Sequence, residues 1–176
     1  AGQRPCSVTF VPVLEAPHAH VFFISLVPFA AVPLHDHPGM TVATRVVGGG
    51  MTALALTLAP EERRVAGSVA EARVHRTLQL SADVVAVAEA SPVDGNAHAF
   101  QAGGDGALLL DVATPPYSEA RPCTYYEPAE PAAHGDLQAG VSHALRAARD
   151  GTIALRTRGA IPPLWFENGN ERIELS

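Results

Sequence analysis

From about residue 8 to residue 113 the chain is a succession of short apolar runs separated by turn formers. The runs "SVTFVPVL", "HVFFISLV", "MTVATRVV", "MTALALTL", "RVHRTLQL", "DVVAVAEA", "AHAFQA" and "ALLLDVA" are rich in β-branched and aliphatic residues. Gly48-Gly49-Gly50, Pro60-Glu61, Asp94-Gly95-Asn96 and Gly103-Gly104 punctuate them. Short strands at this spacing, broken by glycine, proline and asparagine, predict an all-β sandwich or barrel. Only the last third changes period. In "GDLQAGVSHALRAARDG", Leu137, Val141 and Leu145 recur at helical spacing, with Asp136 placed to cap the start and Gly151 to stop it, so one short helix is expected there. The Pro- and Ala-rich "EPAEPAAHG" before it reads as a surface loop. No repeat and no clear linker divides the chain, and residues 1–176 are expected to form one domain.

One stretch carries chemistry within this pattern. "PLHDHPGMTV" sets His35 and His37 at positions i and i+2, and in a strand such residues share a face. Pro38-Gly39 then turns the chain at the rim of a sheet. Two imidazoles on one face suit a metal, provided that a third ligand arrives from elsewhere. His98 meets that need: in "SPVDGNAHAF" it follows a turn directly and lies far enough along for several strands to return to the same mouth. The pair of motifs, HxH and PxxGNxH, is the two-part metal signature of a cupin barrel, a jelly-roll architecture. His18 and His20 form a second HxH without a following turn or a downstream half, and read as partly exposed strand residues. His75 alternates with Arg73 on an outward face, and His134 and His143 read as surface residues. Asp36 alternates to the face opposite His35 and His37, where it caps the turn or accepts a hydrogen bond.

Composition narrows the reading. With 47% hydrophobic and 17% charged residues over 176 positions, the chain is globular and long enough to bury a core. A formal charge of -6 leaves no basic footprint for nucleic acid or an anionic membrane. No apolar run approaches the roughly 20 residues that span a bilayer, so no membrane partner is expected. Two cysteines, Cys6 and Cys123, point to a reducing compartment, the cytoplasm with the nucleus as its extension; a single Cys6–Cys123 bridge is the alternative. The sequence begins at Ala1 rather than methionine, so the absence of a targeting segment carries no weight. No exposed apolar stripe stands out, and a monomer is expected.

Four ordered stretches, "PLHDHPGMTV", "GNAHAF", "LLLDVATPPYS" and "RPCTYY", give the chain a resemblance to the thiol dioxygenases, in the branch of 2-aminoethanethiol (cysteamine) dioxygenase and the plant cysteine oxidases. The resemblance runs from about Pro33 to Tyr126. It implies a cupin-type double-stranded β-helix holding one iron(II) through His35, His37 and His98. It also implies oxidation of a thiol by O2 to a sulfinic acid. The substrate is then an N-terminal cysteine of a peptide or protein, whose oxidation marks that protein for degradation while oxygen is present, or a small thiol such as cysteamine. A non-catalytic metal-binding cupin is the reading from a different class. Where many cupins carry a carboxylate four residues past the second histidine, this chain has Thr41. Three neutral imidazoles leave iron(II) its full charge and open positions for a thiolate, O2 and an amine.

Further residues are drawn in by the resemblance. Asp111 ends an apolar strand, and a buried carboxylate needs a partner. It either orients a ligand histidine or receives the substrate ammonium, or else pairs with an arginine such as Arg45 or Arg121. Tyr117, behind two prolines, either donates its hydroxyl to bound oxygen or substrate or wedges its loop. Cys123 and Tyr125 share an i, i+2 face, and some thiol dioxygenases join such a pair covalently; the alternative is an inert cysteine beside a packed tyrosine. "RVVGGGMTALALTLAP" lacks the polar and aromatic residues of the family there, and Trp165 anchors only a weak likeness in the tail, so the regions that shape the substrate mouth differ most.

Overall fold

The apolar alternation resolves into nine strands in a computed structural model of the chain, which describes residues 8–58, 68–128 and 142–147, with backbone alone for 127–128 and 142–147. They are β1 (Val8–Ala16), β2 (Ala19–Leu26), β3 (Ala31–Asp36), β4 (Thr41–Leu58), β5 (Val69–Ser81), β6 (Ala88–Ala90), β7 (Ala97–Thr114), β8 (Tyr126–Pro128) and β9 (Ser142–Ala147). The sheet order is β1-β2-β7-β4-β5-β9-β8, with β3 also on β7 and β6 on β4. Every pairing is antiparallel.

Two long strands carry the architecture. The first half of β7 pairs with β3 and with the second half of β4. Its second half, from Ala107, pairs with β2 and with the first half of β4. Each long strand therefore belongs to both halves of a double-stranded β-helix, and the glycines expected to end strands instead lie inside them. Gly48-Gly49-Gly50 sits within β4 and Gly103-Gly104 within β7, with register shifts at Val46/Gly48 and Gly49/Met51. The physical reason lies at the crossing. Gly49 has φ of +65° and Gly106 +77°, and a Cβ on Gly49 would stand 2.2 Å from the Gly106 carbonyl oxygen. Only residues without a side chain let the two backbones bend and bulge this closely.

Inside, one apolar cluster joins Val8, Ile24, Val46, Phe100 and Leu109, and a second gathers Leu34, Leu56, Val74 and Tyr126. β1 behaves differently. It lies at the end of the strand order, and Val11 and Val13 on it are 48% and 60% exposed, so the described surface carries an apolar edge that the sequence pattern did not disclose.

The helix expected over 136–151 is not what its described part forms: residues 142–147 are strand β9, paired with β5 and β8. The three apolar positions that suggested a helix spread over only nine residues, too few to separate the periods. β5 needs a partner for its second edge, and β9 supplies it at Val69–Arg73. Cys6, Pro60-Glu61, His134, Asp136, Leu137, Val141, Gly151 and Trp165 lie outside the described residues. Among the described residues no helix is long and apolar enough to cross a membrane.

Candidate metal centre

β3 delivers two histidines and β7 the third. His35 stands directly opposite His98 across the β3–β7 pair, which places both rings on one face. His37 follows in the turn. Its backbone N–H donates to the Asn96 carbonyl at 2.8 Å, so the HxH turn is tied to the loop that feeds His98. The Asn96 side chain, in turn, accepts from the Leu58 N–H at 2.8 Å and donates to the Leu58 carbonyl at 3.1 Å, fixing that loop to the end of β4. Thus the "GN" before His98 is a clamp. The three histidines are buried, and one ring nitrogen from each lies within 4.8 Å of the others.

The surrounding hydrogen bonds set their tautomers. His35 Nδ1 lies 2.8 Å from the Pro33 carbonyl, which can only accept, so the proton is on Nδ1 and the lone pair on Nε2. Tyr117 Oη is 2.6 Å from the Asp36 carbonyl and 2.7 Å from His37 Nδ1. The hydroxyl has one hydrogen. It donates to the carbonyl, so His37 Nδ1–H donates to the hydroxyl and His37 Nε2 keeps its lone pair. That nitrogen lies 2.9 Å from His98 Nε2. Burial pushes the His35 pKa down to about 4. Burial, then the neighbouring rings, hold His37 and His98 well below the ordinary value. Three buried neutral imidazoles that turn nitrogens toward one point, two with tautomers fixed from behind, fit a divalent cation. Thr41, at the carboxylate position of other cupins, is exposed and outside the group.

Two tyrosines flank the histidines. Tyr117 stacks on His37 with ring centroids 5.4 Å apart, and Tyr125 lies 5.6 Å from His35, bridged to it through the backbone. The Tyr117 hydroxyl is engaged by the Asp36 carbonyl and His37 Nδ1, a role that neither sequence alternative named. Cys123 lies beside both tyrosines, and burial pushes its thiol up to about 12, so it stays protonated. Cys123 is free and Tyr125 is buried.

Asp111 is buried on β7, and its hydrogen-bond partner is the Thr44 hydroxyl of β4, not Arg45, which is exposed, and not Arg121. Burial raises its pKa to about 6 against the lowering effect of that hydroxyl. Thr44 escaped the sequence reading, although a signal was present: it sits in the inward register of "TVATRV" between Val42 and Val46, where a polar residue demands a reason. Asp36 accepts from the Thr124 N–H at 2.8 Å and from the Tyr126 hydroxyl at 2.7 Å, as its opposite-face placement led one to expect. His18 is exposed and His20 half-buried, away from the group, and His75 is exposed and pairs with Asp94 at 3.1 Å.

The histidines, Asp111, Tyr117, Cys123 and Tyr125 all line one cavity of about 510 Å³. Its far wall is aromatic and aliphatic, with Phe10, Phe22 and Ile24, none of which the sequence singled out. A double-stranded β-helix with a buried three-histidine group, able to hold a metal, in an open cavity defines a cupin. A solved double-stranded β-helix protein from Klebsiella pneumoniae has the same fold, at a TM-score of 0.50 and 17% identity, covering 70% of this chain and 84% of that one. The chain belongs to the PCO_ADO family, whose pattern matches residues 1–159. It is 31% identical to plant cysteine oxidase 2 of Arabidopsis thaliana over 131 residues, 71% of this chain and 45% of that protein. It is 29% identical to the probable 2-aminoethanethiol dioxygenase of Dictyostelium discoideum over 123 residues, 69% of this chain and 56% of that protein. The chain thus spans about half the length of these relatives.

Proposed function

We propose that the protein is an iron(II) thiol dioxygenase that converts an N-terminal cysteine of a peptide or protein to cysteine sulfinic acid. Family membership supports the reaction class, and the cavity supports the substrate: about 510 Å³ of largely apolar space beside the histidines is far more than cysteamine fills. The reaction is RSH + O2 → RSO2H, with both oxygen atoms in the product and sulfur oxidised by the four electrons that O2 accepts. Iron would be held by His35, His37 and His98 and would supply the redox chemistry that zinc, with no accessible second oxidation state, cannot.

The chain's own residues then have distinct work. Tyr117 and the Pro33 carbonyl hold two histidines with their lone pairs forward. Asp111, on the cavity wall, offers a carboxylate for the substrate ammonium, and Thr44 aims it. The apolar wall excludes water, which strengthens that pairing. A cytoplasmic setting goes with this reading, since it keeps substrate thiols reduced, and the sulfinic product would be a degradation mark made only while O2 is present. A monomer is the proposed state, although the exposed Val11 and Val13 of β1 remove the ground on which the sequence suggested it.

The test is O2 uptake by the iron-loaded protein with a peptide beginning in cysteine, cysteamine run in parallel, and mass spectrometry of both products. A gain of two oxygen atoms on the peptide is expected. The same gain on cysteamine alone would move the activity to small-thiol metabolism, and iron binding without change to either thiol would leave a binding cupin. His98→Ala should lose both iron and thiol-dependent O2 uptake; retention of both would remove His98 from the centre.

A further inference from the structure

The inner face of the sheet changes character as it leaves the histidines. Asp111 of β7 stands opposite Thr44 of β4 on one side and opposite Phe22 of β2 on the other, and Phe22 stands opposite Pro12 of β1. Two positions along, Leu109, Ile24 and Phe10 form the adjoining row. Residues opposite each other in antiparallel strands share a face. The face therefore runs from Thr44 and Asp111 to Phe22 and Phe10 across four neighbouring strands. The rings of Phe10 and Phe22 lie 5.9 Å apart and tilted by 51°, a contact that holds both in place.

Phe10 is 42% exposed, yet it lines the same cavity as the histidines, so it forms a lip of the mouth. Ser118 and Glu119, both exposed, line that cavity from the loop after β7. An aromatic pair that half faces solvent at the end of a buried polar site is unexplained by the core. Phe10 lies outside the buried cluster, and Phe22 is only packed against its edge.

We infer that Phe10 and Phe22 form a subsite for an apolar side chain on the second residue of the substrate. The inference rests on the N-terminal-cysteine reading above. With the cysteine sulfur at the histidines, an extended chain advances about 3.3–3.6 Å per residue, and adjacent strands lie about 4.8 Å apart. The second residue is then the first to clear the metal, less than one strand spacing on, and its side chain extends toward Phe22 on the adjacent strand and Phe10 beyond it. The peptide amides are left for the polar lip at Ser118 and Glu119, which also opposes an acidic side chain at that position.

The experiment compares three peptides that begin Cys-Leu, Cys-Gly and Cys-Asp and are otherwise identical, competing in one mixture with the iron-loaded protein. Their affinities for zinc-loaded protein, which binds without turnover, are measured by calorimetry. Burying a leucine side chain predicts kcat/KM about tenfold or more higher for Cys-Leu than for Cys-Gly, the lowest value for Cys-Asp, and a more negative heat capacity of binding for Cys-Leu. Phe10→Ala should lower the Leu/Gly ratio several-fold; because Phe10 is half-exposed the variant should fold, and Phe22→Leu provides a second, milder probe. Equal kcat/KM and equal affinity for Cys-Leu and Cys-Gly would overturn the subsite and leave the dioxygenase reading intact. Leucine-selective binding to the zinc form with no cysteine peptide oxidised would overturn the activity and keep the subsite. A Leu/Gly ratio unchanged by both phenylalanine variants would overturn the assignment of these residues.

Discussion

A single hydroxyl decides how His37 presents itself. Tyr117 donates to the Asp36 carbonyl and accepts from His37 Nδ1–H, which leaves His37 Nε2 able to bind metal. Tyr117→Phe removes that acceptor, and the expected result is iron affinity weakened about 10- to 100-fold, the usual cost of losing such a partner, measured by competition with a chelator. Asp111 makes a second residue-scale case. Its pKa is raised to about 6 from 3.8, so between those values the folded protein binds more protons than the unfolded, and stability falls as pH rises through that window. Above pH 6 the buried carboxylate costs on the order of 3 kcal/mol. Asp111→Asn should therefore stabilise the metal-free protein at pH 7.5 and have little effect at pH 4, read by urea denaturation. In the loaded enzyme the same change should retain iron and slow turnover by more than tenfold, about 1.4 kcal/mol or more of transition-state stabilisation. Unchanged kinetics would make Asp111 structural only.

At the scale of elements, the long strands depend on the glycine crossing. Gly49→Ala would place a Cβ 2.2 Å from the Gly106 carbonyl oxygen at a positive φ, and neither backbone can yield without undoing the bulge. A loss of at least about 2 kcal/mol is expected. Gly103→Ala, also within β7 but with its Cβ 3.4 Å from the nearest atom, should cost much less. Similar denaturation midpoints for the two variants would refute the crossing argument. β9 belongs to this scale as well. Its pairing with β5 arises from an edge in need of hydrogen bonds, a demand invisible to any local pattern.

For the molecule as a whole, three buried neutral imidazoles link stability to acid and to metal. The His35 pKa falls from 6.5 to about 4, and those of His37 and His98 fall in the same direction. The unfolded chain binds the additional protons, so the stability that the histidines contribute is complete above pH 6.5 and is lost as pH falls below it, the His35 share by about pH 4. A divalent ion in excess, at about 100 times its Kd, adds about 2.7 kcal/mol, or roughly 5–10 °C in Tm for a chain of this size. That shift should vanish in His35→Ala and His98→Ala. A shift that persists in both would place the ion elsewhere.

The sequence by itself determined the strand-rich class, the HxH pair on one face, the turn that feeds His98, and the inward or outward side of Asp36, His75 and Asp111. Each follows from the two-residue period of a strand and from turn chemistry, which act over a few neighbours. The order of four short motifs carried the family. Only the tertiary structure decided that Gly48–Gly50 and Gly103–Gly104 are bends within strands, that 142–147 is a strand and not a helix, and that Thr44 is the partner of Asp111. It alone brought Phe10 and Phe22 to the cavity that holds the histidines. These outcomes depend on contacts between residues tens of positions apart, where the gain from satisfying a buried polar group or an open strand edge outweighs local preference.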